Sequence, residues 1–112
     1  MRRWAAYISI TGFRRTTRLR LKPDAWTTCS MLAQCRRIDF VKLDAEGAEL
    51  PILKGAAILL SGPDRPCVVF EACEENCAPF GYRVFDLLRA FWDFGYHLTQ
   101  LDNENWFAEP RL

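Results

Sequence analysis

The spacing of hydrophobic and polar residues predicts a strand, a turn and a helix in the middle of the chain. Residues 38–43 are mostly apolar and predict a short buried strand. Residues 44–47 then predict a turn, and residues 48–61 carry leucines at helical spacing along one stripe. We expect this helix to end at Gly62, which is followed by a proline.

The same alternation continues toward the carboxyl terminus. Residues 67–70 predict a second buried strand, and residues 82–94 predict an amphipathic helix with Gly95 placed to cap it. A loop rich in Cys, Glu and Pro is expected between these two elements. Residues 97–101 and 106–108 predict two strands, and the polar residues between them predict a hairpin turn.

This order of elements predicts an open α/β sheet. Strands alternating with helices of this length imply right-handed crossovers and a mostly parallel sheet, to which the last hairpin adds an antiparallel strand. Before these elements, residues 17–22 alternate as in a strand and residues 25–34 predict a short helix. We therefore divide the chain into a basic segment, 1–24, that is partly strand, and a main portion, 25–112.

Composition narrows the class of protein. The 112 residues suffice for one small domain, and a hydrophobic fraction of 50% argues against disorder. No apolar run approaches the length of about 20 residues needed to cross a bilayer, and the start of the chain lacks the sustained apolar core of a signal peptide. Five cysteines without a C-x-x-C pair, and a single histidine, predict reduced, packing thiols and no metal site. A cytoplasmic location is expected.

Charge is distributed unevenly along the chain. Residues 1–42 carry ten Lys or Arg against two acidic residues, whereas residues 43–112 carry five basic and twelve acidic residues. A basic arm could contact nucleic acid or anionic lipid, or it could be the solvated edge of a strand. The arginines lack the aromatic interleaving of a single-strand binder, so we favour the solvated edge and expect neither a nucleic-acid nor a membrane partner.

The candidate chemistry lies where the buried strands end. Asp44 and Glu46 follow the first strand and Glu71 ends the second. Ligands bind beyond the carboxyl ends of parallel strands in open α/β sheets, and neighbouring strands lie about 5 Å apart. We therefore expect these acids to meet at one edge, where Gly47 permits a tight turn and close approach of a ligand.

Lys42 adds a basic group to this edge. It shares a strand face with Phe40 and Asp44 in a run that otherwise resembles a buried strand, so it must pair with a carboxylate or line a wet cleft. Asp44 and Glu71 are its natural partners. The residues alone leave two readings open: a functional site, or an ion pair and helix-starting acids that only order the sheet.

A family resemblance favours the functional reading. The segment Ile-Asp-Phe-Val-Lys-Leu-Asp-Ala-Glu-Gly-Ala-Glu-Leu at 38–50, followed by Ile-Leu-Lys-Gly-Ala at 52–56, resembles the signature of FkbM-family methyltransferases. Arg-Pro-Cys-Val-Val-Phe-Glu at 65–71, Phe-Gly-Tyr-His-Leu at 94–98 and Phe-Ala-Glu-Pro at 107–110 are similar to later parts of that family. The resemblance implies a Rossmann-like methyltransferase fold and methyl transfer from S-adenosylmethionine, typically to a hydroxyl of a sugar or other small molecule.

The resemblance also implies roles for individual residues. Asp44, Glu46 and Gly47 would lie at the cofactor, and Lys42 and Glu71 on the acceptor side of the pocket. Because methyl transfer is an in-line displacement, the protein mainly aligns the reactants, and a carboxylate beside the acceptor could take the hydroxyl proton. Asp44 is the candidate for that catalytic role.

The sequence departs from the family in its cofactor half. No two glycines form a G-x-G turn, and the 37 residues before the first clear strand are too few for three strands and their helices, since one crossover unit needs about 30 residues. We therefore expect the first strands to be missing and the chain to be a C-terminal portion of the domain. Activity of this chain alone is accordingly uncertain.

That departure leaves a second functional reading. An unpaired apolar edge beside residues 38–43 would favour self-association, unless the basic residues 14–22 pair there. The alternative to an enzyme is thus a non-catalytic, methyltransferase-derived fragment that acts as an interaction or self-association module.

Overall fold

The computed structural model of the protein describes residues 6–12, 15–21 and 38–111, and it shows a mixed α/β fold. The predicted helix at 25–34 lies outside the described residues. None of the described helices is long and apolar enough to cross a membrane.

The described strands form one six-stranded sheet in the order β2-β1-β3-β4-β6-β5. Their bounds are β1 Ala6–Gly12, β2 Arg15–Leu21, β3 Phe40–Asp44, β4 Cys67–Glu71, β5 Tyr96–Gln100 and β6 Asn105–Pro110. The predicted strands at 17–22, 38–43 and 67–70 and the predicted terminal hairpin are confirmed, each within a few residues.

The pairing of the strands differs from the predicted mostly parallel sheet. β2, β3, β4 and β5 run in one direction, but β1 and β6 run in the other and lie between them. As a result, β3 and β4 are the one pair of neighbouring described strands that is parallel. The antiparallel β6 was predicted from its hairpin; the antiparallel β1 was not predicted.

The expectation of an exposed edge beside β3 is wrong. β1 pairs with β3 there, with Ile8 opposite Leu43 and Ile10 opposite Val41. The basic segment proposed for that position forms β2 instead, on the far side of β1. β1 and β2 pair antiparallel, and β1, the less basic of the two strands, lies next to β3. The predicted self-association was argued from an unpaired edge beside β3, and whether the protein self-associates stays a prediction.

Helices and a short 3-10 turn complete the described part of the chain. They are α1 Glu49–Gly55, α2 Ala57–Ser61, α3 Glu74–Cys77, a 3-10 turn Ala78–Phe80 and α4 Val84–Asp93.

The predicted helix at 48–61 is interrupted. It divides at Ala56, whose N–H donates to the carbonyls of both Ile52 and Leu53, directly after the weak helix former Gly55. Gly62 then adopts an extended conformation and ends α2, as predicted.

The core lies on one face of the sheet. Along β3, Val41 and Leu43 are buried whereas Lys42 and Asp44 are exposed, as the two-residue period of a strand requires. The buried face packs against the apolar stripes of α1 and α4 in a single hydrophobic cluster. The Phe91 ring of α4 stacks on a ring from β4 with centroids 4.2 Å apart. This core fixes the carboxyl ends of β3 and β4, where the candidate site lies.

Candidate functional site

The turn after β3 has a constrained backbone. Ala48 N–H donates to the Ala45 carbonyl at 3.0 Å and closes the turn. Glu46 has φ +47°, a left-handed conformation that no other non-glycine residue adopts within the described ranges. Gly47 follows at φ +107°, and a Cβ there would collide with the carbonyl oxygen of Asn76. Glycine is therefore required at position 47 both by conformation and by packing against α3.

The side chain of Glu49 is hydrogen-bonded to the backbone of this turn. Its side chain is 2% exposed, and its Oε1 and Oε2 accept the N–H groups of Ala45 at 3.2 Å and Gly47 at 2.8 Å. Burial raises the pKa of Glu49 above its usual value, while these backbone hydrogen bonds act in the opposite direction. The carboxylate is thus committed to the protein backbone and does not reach solvent.

Tyr82 contacts the same turn from the segment before α4. Its hydroxyl donates to the Gly47 carbonyl at 2.5 Å and accepts the Leu50 N–H at 3.5 Å. The ring is 8% exposed, and this burial raises the pKa of the Tyr82 hydroxyl, so the group stays protonated and can donate. Gly47 therefore has both its N–H and its carbonyl engaged within the protein.

The structure brings the predicted acids together. Asp44 and Glu46 are exposed and Glu71 is half-buried at the end of the neighbouring strand. Burial raises the pKa of Glu71, and the negative charges of nearby Asp44, Glu104, Glu46 and Asp102 raise it further. These five side chains form the acidic rim, a crowded patch of carboxylates at the carboxyl ends of β3 and β4.

Two members of the acidic rim, Asp102 and Glu104, were not predicted as site residues. They belong to the turn between β5 and β6, which lies at this edge because β6 runs antiparallel to β4. The Ala72 N–H donates to the Glu104 carbonyl at 2.7 Å, and Asp102 Oδ1 accepts the Glu104 and Asn105 N–H groups at 2.8 Å. The sequence could have identified these two residues only if the pairing of β6 with β4 had been predicted, because that pairing brings the turn to this edge.

Helix α3, which the sequence did not predict, contributes a neutral neighbour to the rim. Asn76 Nδ2 donates to Glu71 Oε1 at 3.5 Å. Four residues are too few to show a helical period, so this segment was predicted as a loop and the contact of Asn76 with Glu71 was not predicted.

Lys42 is exposed, so of the two surroundings predicted for its ammonium, a carboxylate partner or a wet cleft, the structure agrees with contact to solvent. Strand alternation places it on the face opposite Val41 and Leu43, where solvent hydrates the charge. Within residues 38–111, no ion pair joins Lys42 to Asp44 or to Glu71. The same described residues contain no group of three or more side chains suited to hold a metal ion.

The chain matches a family model described as the methyltransferase FkbM domain over residues 29–98, which is more than half of its length. This protein belongs to the FkbM methyltransferase family. The match includes β3, β4, the turn at 45–48 and the helices between the strands. Searches of curated proteins and of solved structures found no match.

Membership of the FkbM family confirms the resemblance on which the functional reading depended. Membership of a methyltransferase family points in general to S-adenosylmethionine as the methyl donor. Within the FkbM domain, Asp44 and Glu46 present free carboxylate oxygens that can accept hydrogen bonds from hydroxyl or ammonium groups. These acceptors suit hydroxyl or ammonium groups of a ligand, whereas the N–H and carbonyl of Gly47 are already hydrogen-bonded within the protein.

Proposed function

We propose that this FkbM-family protein is an S-adenosylmethionine-dependent methyltransferase that methylates a hydroxyl of a sugar or another small molecule. The observation that carries the proposal is the acidic rim, which lies at the carboxyl ends of two parallel neighbouring strands inside the family match. Open α/β sheets bind ligands at this edge. We infer further that β3 to β6 correspond to the later strands of a Rossmann-like sheet, as the crossover from β3 to β4 and the terminal hairpin support.

Asp44 is the proposed catalytic base. S-adenosylmethionine would supply an electrophilic methyl group on a positively charged sulfur. The exposed carboxylate of Asp44 would accept the proton of an acceptor hydroxyl, which would make the hydroxyl oxygen a better nucleophile. The clustered carboxylates of the acidic rim would repel a negatively charged acceptor, so an uncharged hydroxyl suits this edge.

The remaining residues are proposed to bind and orient. Glu46, next to Asp44, is assigned to the cofactor, and Gly47 to the shape of the turn that presents both acids. Lys42 and Glu71 lie on the strands that lead to this edge and are assigned to the acceptor side. Most of the rate would then come from alignment of the two reactants.

Binding and turnover of S-adenosylmethionine test the proposal. Calorimetric titration should show saturable binding, and radiolabelled cofactor should transfer its methyl group to one or more members of a panel of sugars and small alcohols. Absence of both binding at about 1 mM cofactor and methyl transfer would contradict the proposed function.

Substitution of the proposed base gives the sharper test. Asp44→Asn should lower kcat by about 10²-fold or more, because the amide cannot accept the hydroxyl proton. Asp64→Asn is the matched control, since Asp64 is an exposed acid in the turn before β4, away from the acidic rim. Equal activity of the two variants would remove Asp44 from the catalytic role.

A further inference from the structure

The acidic rim includes residues of β3 and of the turn at 45–48, and the side chains that hydrogen-bond to the backbone of this turn are buried. Glu49 is 2% exposed and Tyr82 is 8% exposed, so neither side chain is placed to touch a ligand. Both nevertheless bind the backbone of the turn that carries Asp44 and Glu46. Their influence on a bound ligand must therefore be exerted through the turn.

Glu49 brackets Glu46 from both sides. Its two carboxylate oxygens accept the N–H groups of Ala45 and Gly47, the residues immediately before and after Glu46. Glu46 has a left-handed backbone, which a residue with a Cβ adopts unfavourably unless its surroundings impose it. The bidentate contact of Glu49 supplies that constraint.

Tyr82 fixes the other side of the turn. Its hydroxyl donates to the Gly47 carbonyl and thereby ties the turn to the segment that begins α4. The same hydroxyl accepts the Leu50 N–H at 3.5 Å. The polar groups under the turn are thus mutually satisfied, as a rigid support for a site requires.

We propose that Glu49 and Tyr82 are positioning residues that hold Asp44 and Glu46 in the geometry in which they bind cofactor and acceptor. Glu49 is then a structural bracket of the FkbM site and not a third reactive acid. The identity of the ligand, S-adenosylmethionine, rests on the proposed function; the support of the turn does not.

Two buried tyrosines allow a matched test. Tyr82 and Tyr96 each donate a hydroxyl hydrogen bond to a backbone carbonyl, that of Gly47 for Tyr82 and that of Pro66, at 2.7 Å, for Tyr96. Tyr82→Phe and Tyr96→Phe should therefore lower global stability by similar amounts. Pro66 precedes β4 at the opposite end of the sheet, so only Tyr82→Phe removes a support of the turn.

Amide hydrogen exchange followed by NMR gives the first readout and needs no ligand. In Tyr82→Phe, the Gly47 and Ala48 amides should exchange about tenfold faster relative to the Phe70 amide, which lies in a core strand. In Tyr96→Phe this ratio should stay at its wild-type value. The same change in both variants would overturn the inference, because the turn would then follow global stability alone.

Glu49→Gln tests the bracket itself. A glutamine side chain has one acceptor oxygen, and its NH₂ group would face the N–H of Ala45 or Gly47, so at least one of these amides should lose its protection. Glu75→Gln, an exposed residue of α3, is the matched control and should leave both amides unchanged. Retained protection of both amides in Glu49→Gln would contradict the bracket.

Calorimetry with S-adenosylmethionine then links the turn to the ligand. Tyr82→Phe and Glu49→Gln should raise the Kd about tenfold, whereas Tyr96→Phe and Glu75→Gln should not. If the wild-type protein binds no cofactor, the proposed function fails while the exchange data still decide whether the turn is held. If the wild type binds and all four variants bind equally, the positioning role is wrong although the function stands.

Discussion

At its amino end β4 begins beside Arg65, whose guanidinium is hydrogen-bonded to backbone carbonyls, whereas at its carboxyl end Glu71 faces four other carboxylates. Arg65 Nη1 donates to the carbonyls of Phe94 at 2.6 Å and Gly95 at 3.2 Å, and Nη2 donates to that of Arg111 at 3.1 Å. The same guanidinium lies 5.6 Å from the centroid of an aromatic ring of β5. At this end of the sheet, the Arg65 guanidinium therefore links the start of β4 to the chain after α4 and to the chain after β6.

The carboxyl end has the opposite electrostatics. The carboxylates of Asp44, Glu46, Asp102 and Glu104 all raise the pKa of Glu71, and Asn76 provides a single long hydrogen bond. Such crowding of like charges opposes folding, and clustered carboxylates with shifted pKa values occur often at functional sites. The comparison therefore predicts that removal of charge destabilises the protein at the Arg65 end and stabilises it at the Glu71 end.

The largest effect is expected from a change in the turn that carries the acidic rim. Gly47→Ala should lower the free energy of unfolding by about 4 kcal/mol, because φ +107° is unfavourable for alanine and the new methyl group would strike the Asn76 backbone. Gly81→Ala is the matched control: its φ is +80°, but no atom lies within 4 Å of the added Cβ. It should lose only about 1–2 kcal/mol.

Urea unfolding of the two glycine variants measures this difference. A larger loss for Gly47→Ala shows that packing against α3, in addition to backbone conformation, fixes the acidic end of the sheet. Equal losses would mean that the turn can move away from Asn76, and that packing against α3 does not fix the acidic end of the sheet.

A smaller loss is expected at the Arg65 end. Arg65→Ala should destabilise the protein by about 2–3 kcal/mol, because the carbonyls of Phe94 and Gly95 lose a charged donor. The matched control is Arg89→Ala, which removes an exposed i,i+4 pair with Asp93 and should change stability by about 0.5 kcal/mol or less.

Urea unfolding again provides the measurement, and the cofactor Kd provides a second one. Arg65→Ala should leave S-adenosylmethionine affinity unchanged, since Arg65 lies at the edge opposite the acidic rim. A large loss of affinity in this stably folded variant would place Arg65 in the site and break the contrast between the two ends.

Local patterns predicted the elements of the sheet that are long or regular. The apolar run of β3, the amphipathic α4 and the cap at Gly95, with φ +88°, follow from residues close in sequence. The four-residue α3 and the antiparallel pairing of β1 do not, because one is shorter than a clear helical period and the other depends on which distant strand it meets.

The site residues show the same difference between features that the sequence pattern predicts and features that depend on distant contacts. Asp44, Glu46 and Glu71 could be predicted to meet because parallel strands end at one edge. Tyr82 could not be placed under the turn, since its contact with Gly47 joins residues 35 positions apart. The exposure of Lys42 was harder to predict, because the apolar run suggested burial on both faces of the strand, whereas β3 is buried on one.

The smallest effect, and the one with the most informative sign, is expected at Glu71. Its pKa is raised in the folded protein above the ordinary value of 4.5, so its contribution to stability is complete below that pH and is lost as pH rises through the folded pKa.

Glu71→Gln removes this titration and should be more stable than wild type near neutral pH, by less than about 1 kcal/mol because solvent screens the group. The gain should vanish near pH 4 and shrink at about 0.5 M salt. Glu75→Gln, which lies outside the acidic rim, is the control and should not gain stability. If Glu71→Gln instead destabilised the protein at neutral pH, this carboxylate would be as fully engaged as the Arg65 guanidinium, and the acidic rim would be a structural network and not a ligand site.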